Sequence, residues 1–150
     1  MRRLPSSPTA AVNPDRFTGQ VWVDPIAEGE LPSRLRLALV HFAPGAHTVW
    51  HCHALGQTLY GTDGVGVVQS RDGQTLLLRP GETVHTPPGQ WHWHGALPDR
   101  LMTHLAAGES TGDPNALDVE WGDRVTDDEY EGALIHLGQE LTPDSTDESA

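Results

Sequence analysis

The chain has 150 residues, a length that suits one domain with one hydrophobic core. Its formal net charge of -12, from 21 acidic and 9 basic side chains, repels phosphate backbones and disfavours nucleic-acid binding. No apolar run approaches the roughly 20 residues of a membrane span, and the first residues do not lead into a secretory signal. Together with the single cysteine, Cys52, these features predict a cytoplasmic protein without nucleic-acid or membrane partners.

The two ends of the chain differ in composition from its middle. Residues 1–14 contain Pro, Ser and Thr and are expected to form a disordered lead-in, and the acidic residues 139–150 are expected to form a disordered tail. The 16 glycines and 12 prolines favour short strands joined by tight turns over long helices. Residues 15–138 are therefore predicted to form one all-β domain.

Apolar or alternating runs recur about every eight to twelve residues with turn signals between them, which is typical of an antiparallel sandwich or barrel. Asp63–Gly64 and Asp72–Gly73 predict hairpin turns, because such turns need residues that tolerate positive φ. The predicted strands in chain order are Val21–Val23, Leu35–Phe42, Thr48–His53, Thr58–Tyr60, Val65–Gln69 extending to Ser70, Thr75–Leu78, Thr83–Thr86, Trp91–Gly95 and Arg100–Ala106.

The segment after Gly108 predicts an edge strand and a short helix. Leu117–Trp121 has the apolar content of an edge strand. Thr126 is a predicted N-cap, and Glu129 follows it at the spacing of a capping box.

Alternation along the strands also assigns side chains to the inside or the outside. Leu35, Leu37, Leu39 and Phe42 are the predicted core residues of their strand, while Ala38 and Val40 are alternatives for the cavity face. Three tryptophans lie opposite the inward face in parity and are expected in an outer packing layer or a dimer interface: Trp50, Trp91 and Trp93. Three histidines are expected at the surface or rim: His41, His47 and His85.

The chain has 9 histidines, and most of them lie between residues 41 and 94. His51 and His53 are two apart on a predicted strand, so their side chains share one face and can reach one metal ion. Gln57 follows four residues later with an oxygen donor, and His92 comes after a Pro-Pro-Gly turn. Imidazole is the commonest side-chain ligand for transition metals, so this spacing predicts a metal site.

These residues lie in two motifs that resemble those of the cupin superfamily. The resemblance implies a double-stranded β-helix, or jelly-roll barrel, which holds one metal ion through His51, His53, Gln57 and His92, and it also implies a homodimer. Gln57 stands where most cupins have Glu. The matching runs are Gly45-x5-His51-x-His53-x3-Gln57-x6-Gly64 and Gly81-x5-Pro87-x-Gly89-x2-His92.

The exchange of Glu for Gln changes the chemistry of such a site. Three imidazoles and one amide oxygen are all neutral, so a divalent ion keeps its full charge and polarises a substrate oxygen more strongly. Lewis-acid chemistry is therefore favoured over oxygen activation. The mixed N/O donors suit Mn, Fe, Co, Ni or Zn, and affinity alone does not select among them.

A narrower resemblance covers about residues 16–131. The runs Phe17–Val21, Phe42–Ala46, His51–Leu59, Gly89–Ala96, Met102–Ala106 and Val119–Tyr130 look like the bacterial cupin hydroxynitrile lyases. This resemblance implies a manganese-dependent lyase that cleaves or forms cyanohydrins, with His104 as the acid/base. His94 shares a face with His92 and is the second catalytic candidate, either as a support for the ligands or as a substrate partner.

Two other classes of function use the same ligands. One is a mononuclear-metal dioxygenase or tailoring enzyme acting on an enol, polyketide or phenolic substrate. The other is a non-catalytic protein that binds a metal or a small molecule. Oxygen consumption distinguishes the first of these from a lyase.

Overall fold

The computed structural model describes residues 1–141, with side chains described as far as residue 138. The acidic tail predicted over 139–150 therefore lies outside the described residues, except for the last turn of a helix that ends at Leu141. In the described part of the chain the strands are β1 (Ala10–Ala11), β2 (Phe17–Thr18), β3 (Val21–Glu28), β4 (Leu35–Phe42), β5 (His47–Thr48), β6 (His51–His53), β7 (Gln57–Gly64), β8 (Gly66–Ser70), β9 (Thr75–Leu78), β10 (Thr83–Thr86), β11 (His92–Ala96), β12 (Met102–Glu109) and β13 (Val119–Trp121), and the helix is α1 (Asp127–Leu141).

The strands form two antiparallel sheets that face each other. The first sheet has the order β1-β3-β4-β12-β7-β10. The second contains β13-β6-β11-β5-β2, with β8 joined to β11 and β9 joined to β8. This arrangement confirms the predicted all-β jelly-roll barrel with a short C-terminal helix. No helix in the described residues is both long and apolar enough to span a bilayer.

The inward face of β4 carries its even-numbered residues. Val40 and Phe42 are buried and pack with Val21 and Met102, which lie opposite Phe42 on the neighbouring strands β3 and β12. The prediction that Leu35, Leu37 and Leu39 belong to the core is wrong, because the alternation of the strand turns these side chains outward. Leu35 is 41% exposed there, and Leu37 and Leu39 are half-buried.

The two Asp-Gly pairs have different roles. Asp72–Gly73 closes the β8–β9 hairpin, and Gly73 has a φ of 96°, as predicted. The hairpin predicted at Asp63–Gly64 is wrong, because β7 pairs within the first sheet and β8 within the second. Gly64 is required there for another reason: its φ is 67°, and a Cβ atom would meet the Leu101 carbonyl oxygen at 1.8 Å.

Helix α1 covers the outer face of the second sheet. Ala133 and Leu137 pack against Trp50, Val67 and Trp93, so the predicted outer tryptophan layer is confirmed. The capping box is also confirmed, because the Glu129 amide donates to Thr126 Oγ1 at 3.1 Å and the Thr126 amide donates to a Glu129 carboxylate oxygen at 2.8 Å.

The prediction that His47 lies at the surface or rim is wrong. Its ring is buried and stacks on Tyr130 of α1 at a centroid distance of 4.8 Å. The Tyr130 hydroxyl also donates to the Ala96 carbonyl at 2.7 Å. The sequence did not reveal this burial, because the covering residue comes from a helix more than 80 residues along the chain.

Candidate metal centre

Two elements of the second sheet bring three histidines together. His51 and His53 lie on β6, and His92, at the start of β11, pairs directly with His51. The ligand atoms of the three imidazoles lie within 4.8 Å of one another. Gln57 begins β7 in the opposite sheet, and its Oε1 lies 3.3 Å from His92 Nε2. The structure therefore brings together all four predicted ligands.

The backbone orients two of these rings. His51 Nδ1 lies 2.9 Å from the Val49 carbonyl, and His92 Nδ1 lies 3.1 Å from the Gln90 carbonyl. A carbonyl oxygen only accepts hydrogen bonds, so each Nδ1 carries the proton and each Nε2 keeps a free lone pair. This is the tautomer that a metal ligand needs.

His53 supplies the observation that most directly fits a metal ion. Its Nε2 is buried and has no hydrogen-bond partner among the described residues. A buried polar atom without a partner is costly, and a bound cation would satisfy it. The donor set of three imidazoles and one amide oxygen fits a divalent transition metal.

Burial keeps these imidazoles neutral. Desolvation is the largest cause that lowers the pKa of His53 to about 4, and the neighbouring His92 lowers it further. Desolvation likewise lowers the pKa of His92, and it lowers that of His51 well below the usual range. Neutral imidazoles at pH 7 are ready to coordinate a metal without first releasing protons.

Two more histidines lie deeper in the barrel. His104 Nε2 and His94 Nδ1 are 3.1 Å apart, and both rings are buried. The ring of His94 lies between the other groups, with its centroid 5.2 Å from that of His51 and 4.9 Å from that of His104. Phe42 packs against both rings of the pair. Both predicted catalytic histidines thus face the barrel interior beside the candidate ligands.

The buried pair is also held in its neutral form. Desolvation lowers the pKa of His104 to about 3 and places that of His94 well below the usual range. At pH 7 the pair therefore carries no charge, and one N–H lies between the two rings while other ring nitrogens can accept a proton. Val40 pairs with His104 across the sheet, which confirms the expectation that it faces the cavity.

Trp121 was not among the site residues predicted from the sequence. It pairs with His51 across β13 and β6 and stacks on that ring at a centroid distance of 5.0 Å. The Arg16 guanidinium covers the Trp121 ring at 4.7 Å. The sequence predicts an edge strand that ends in an aromatic residue. It does not predict the register of that strand against β6, because this pairing joins distant parts of the chain.

The other two histidines expected at the surface differ in their surroundings. His85 is exposed and lies 2.9 Å from the Thr58 hydroxyl. His41 is half-buried on the outer face of the first sheet, between Asp24 and Thr103. Both lie outside the candidate metal centre.

The sequence and the structure of this chain are similar to those of known proteins. A family model described as Cupin domain matches residues 38–111. The chain is 42% identical to (R)-mandelonitrile lyase of Granulicella tundricola over 130 residues, which cover 87% of this chain and 97% of that protein. The crystal structure of a cupin-like protein from Thermotoga maritima is 36% identical, with a TM-score of 0.76 over 83% of this chain and 92% of that one.

A more distant structure shares the fold alone. A polyketide cyclase from Streptomyces resistomycificus is 21% identical, with a TM-score of 0.64 over 87% of this chain and 91% of the other. The family match spans His51, His53, Gln57 and His92, which the two-sheet barrel collects at one point. On its sequence, its barrel and its histidine cluster, this chain belongs to the cupin family.

Proposed function

We propose that this chain is a metal-dependent lyase that cleaves or forms cyanohydrins. The observation that carries the proposal is the neutral His94–His104 pair, buried beside a neutral set of candidate ligands. Cleavage of a cyanohydrin involves no oxidation or reduction, so a Lewis acid and a proton acceptor together suffice for this reaction. The identity of 42% with (R)-mandelonitrile lyase supports the same class of substrate.

The residues that would hold the metal are His51, His53, Gln57 and His92. When bound, a divalent ion would supply Lewis acidity at the hydroxyl oxygen of the cyanohydrin and make that hydroxyl more acidic. Manganese is our first choice, with Fe, Ni, Co and Zn as the alternatives that the same donors accept. Elemental analysis of protein purified without added metal decides among them.

The buried histidine pair handles the proton. As the carbonyl forms, the bond between the carbinol carbon and the cyano carbon breaks and its electron pair leaves with cyanide. His104 accepts the hydroxyl proton, with His94 as its hydrogen-bonded partner across 3.1 Å. The imidazolium then returns that proton to cyanide, so hydrogen cyanide and an aldehyde leave the site. In the other direction the same pair protonates the alkoxide after cyanide attacks the aldehyde.

Release of cyanide from mandelonitrile under anaerobic conditions tests the proposal. Metal-reconstituted wild-type protein should release cyanide faster than metal-stripped protein, and His104→Gln should lower kcat by roughly 100- to 10,000-fold, the usual contribution of a general acid/base. His85→Gln is the matched control, because this histidine is exposed on the outer face and should leave the rate unchanged. Full activity in His104→Gln would remove the acid/base assignment.

An oxygen electrode separates the lyase from a dioxygenase. The lyase proposal expects no oxygen uptake with mandelonitrile and the same rate of cyanide release in air and under nitrogen. Absence of metal-dependent cyanide release, together with oxygen uptake on an enol or phenolic substrate, would overturn the proposal in favour of the dioxygenase.

We also propose that a second copy of the chain covers the outer face of the first sheet. Trp22 and Tyr60 are 40% and 44% exposed on this face, next to Leu39 and Leu105. The acidic excess of the chain lies elsewhere, in residues 113–131 and at the C-terminal end, so two copies can meet here without bringing their main negative charge together. One apolar patch used by both subunits is the arrangement that a two-fold dimer requires.

A further inference from the structure

We propose that two side chains, Thr62 and His41, are positioning residues for His104. Both act through Thr103, the residue directly before it. The inference rests on the acid/base role proposed for His104, and it concerns contacts on the opposite side of the strand from the metal centre.

The pairing of β12 with β7 is interrupted beside His104. Thr103 pairs with Asp63, but His104 pairs with Gly61, so Thr62 is an extra residue on β7. Such a β-bulge breaks the hydrogen-bond ladder locally and changes the direction of nearby side chains. The peptide that leads into His104 is therefore paired regularly with β4 but lacks a regular ladder partner on the β7 side.

Thr62 contacts this peptide with its side chain. Its hydroxyl donates a hydrogen bond of 3.1 Å to the Thr103 carbonyl, which belongs to the peptide that joins Thr103 to His104. This contact fixes the plane of that peptide. The orientation of the plane in turn sets where the Cβ of His104 points, because φ of His104 starts from the same peptide.

A second contact holds Thr103 from the outer face of the sheet. His41 Nδ1 lies 3.1 Å from Thr103 Oγ1, and His41 Nε2 lies 2.6 Å from a carboxylate oxygen of Asp24. A carboxylate only accepts hydrogen bonds, so His41 Nε2 carries a proton and donates it to Asp24, while Nδ1 and the Thr103 hydroxyl share the second hydrogen bond. Asp24 in turn accepts from the Thr9 hydroxyl at 2.5 Å. Thr103 is thus held through its carbonyl and through its side chain.

The position of His104 tolerates little error. Its Nε2 must stay within hydrogen-bonding distance of His94 Nδ1, and its ring is confined by Phe42 at a centroid distance of 5.5 Å. A proton acceptor displaced by about 1 Å can lose a factor of up to about 100 in rate. The bulge interrupts the backbone pairing beside His104, and the contacts of Thr62 and His41 with Thr103 restrain the backbone at the same point.

Four variants test this inference, three at Thr62 and Thr75 and a fourth at Thr103. Thr62→Val removes the hydroxyl and keeps the branched shape, whereas Thr62→Ser keeps the hydroxyl. Thr75→Val is the matched control, because Thr75 also donates to a backbone carbonyl, that of Gly73, but on the outer face of the second sheet. Each variant is prepared with histidine labelled by nitrogen-15 and loaded with zinc, and the ring signals of His104 are assigned with His104→Gln.

We expect Thr62→Val to shift the ring nitrogen signals of His104, to lower kcat for cyanide release roughly tenfold and to leave KM within about twofold. Thr62→Ser should restore both readouts, and Thr75→Val should change neither. Thr103→Val, which removes only the hydroxyl that contacts His41, should shift the same ring signals in a protein that keeps the Thr62 contact.

The nitrogen signals keep this inference separate from the proposed function. If wild-type protein releases no cyanide, the lyase proposal fails and the signals of His104 still decide the positioning role. Unchanged His104 signals in both Thr62→Val and Thr103→Val would overturn the inference, whatever happens to the rate. A shift in Thr75→Val as large as that in Thr62→Val would also overturn it, because the effect would then be a general loss of packing.

Discussion

The two sheets of this barrel differ in how many side chains they contribute to the candidate site and in what covers their outer faces. The second sheet carries the three imidazoles of the candidate metal centre, and helix α1 covers its outer face through Ala133 and Leu137. The first sheet supplies Gln57 and His104, and among the described residues its outer face has no covering helix. The sheet that the helix covers thus carries three of the four candidate ligands, while the exposed sheet supplies fewer groups, which local contacts orient.

Burial of neutral histidines between the sheets gives the largest effect that we expect. Desolvation lowers the pKa of His104 to about 3 and that of His53 to about 4 in the folded protein. In the unfolded chain these histidines bind protons as the pH falls below about 6.5. Their contribution to the free energy of unfolding should therefore be fully present above pH 6.5 and should decrease as the pH falls toward 3. His104 alone corresponds to about 4–5 kcal/mol across that window.

Urea unfolding of metal-free protein at several pH values measures this loss. His104→Gln cannot bind the extra proton, so its free energy of unfolding should fall less steeply between pH 6.5 and 4. His85→Gln, at an exposed position, is the control. If the wild-type protein and His104→Gln had parallel pH profiles, burial would not be what lowers the pKa of His104.

Loss of one ligand from the covered sheet should come next in size. Structural zinc sites with four ligands contribute about 10–16 kcal/mol, so one ligand accounts for roughly 3–4 kcal/mol, or 100- to 1,000-fold in affinity. His51→Ala should therefore weaken metal binding by that factor, measured by calorimetry with zinc and manganese. His85→Ala should retain wild-type affinity, and an unaltered affinity in His51→Ala would place the metal elsewhere.

Removal of a contact under the helix should have a smaller effect. Leu137 is buried against Trp50 and Trp93, so Leu137→Ala should lower the free energy of unfolding by about 2–3 kcal/mol. Ile135 lies on the same helix but is 63% exposed, and Ile135→Ala should cost less than about 0.5 kcal/mol. Equal losses in the two variants would show that the helix does not brace the sheet through this face.

Sequence reasoning found the ligands from one local pattern and one resemblance. Strand parity placed His51 and His53 on one face, and the resemblance to the two cupin motifs added Gln57 and His92. It failed where the answer depended on which strand lies beside which. Three features depend on long-range register: the passage of the chain from the first sheet to the second at Gly64, the outward direction of the Leu35 side chain, and the stacking of Trp121 on His51.

The burial of His47 illustrates the same limit from the other side of the molecule. No property of its neighbours in sequence indicates that Tyr130 will stack on it. The capping box of Thr126 and Glu129 predicted where the helix begins, but not which sheet the helix would cover. Local chemistry predicted the elements, and the contacts between elements had to come from the structure.

The smallest expected effect concerns the uncovered outer face of the first sheet. If a second copy covers it, a charge placed at Tyr60 must be buried without a partner, which costs free energy in the dimer and none in the monomer. Tyr60→Glu should weaken dimerisation by at least about tenfold, or roughly 1.4 kcal/mol, in sedimentation velocity runs over a range of concentrations. Leu117→Glu is the matched control, because Leu117 is 73% exposed in the segment that leads into β13 of the second sheet. A dimer that persists in Tyr60→Glu but is lost in Leu117→Glu would assign the interface to another surface, and a wild-type monomer at all concentrations would remove the second copy from the proposal.

Loss of the dimer also tests whether His104 depends on a partner subunit. Tyr60 pairs with Leu105, which follows His104 on β12. If the first sheet holds His104 without help from a partner, loss of the dimer should leave the rate of cyanide release within about twofold of the wild-type rate.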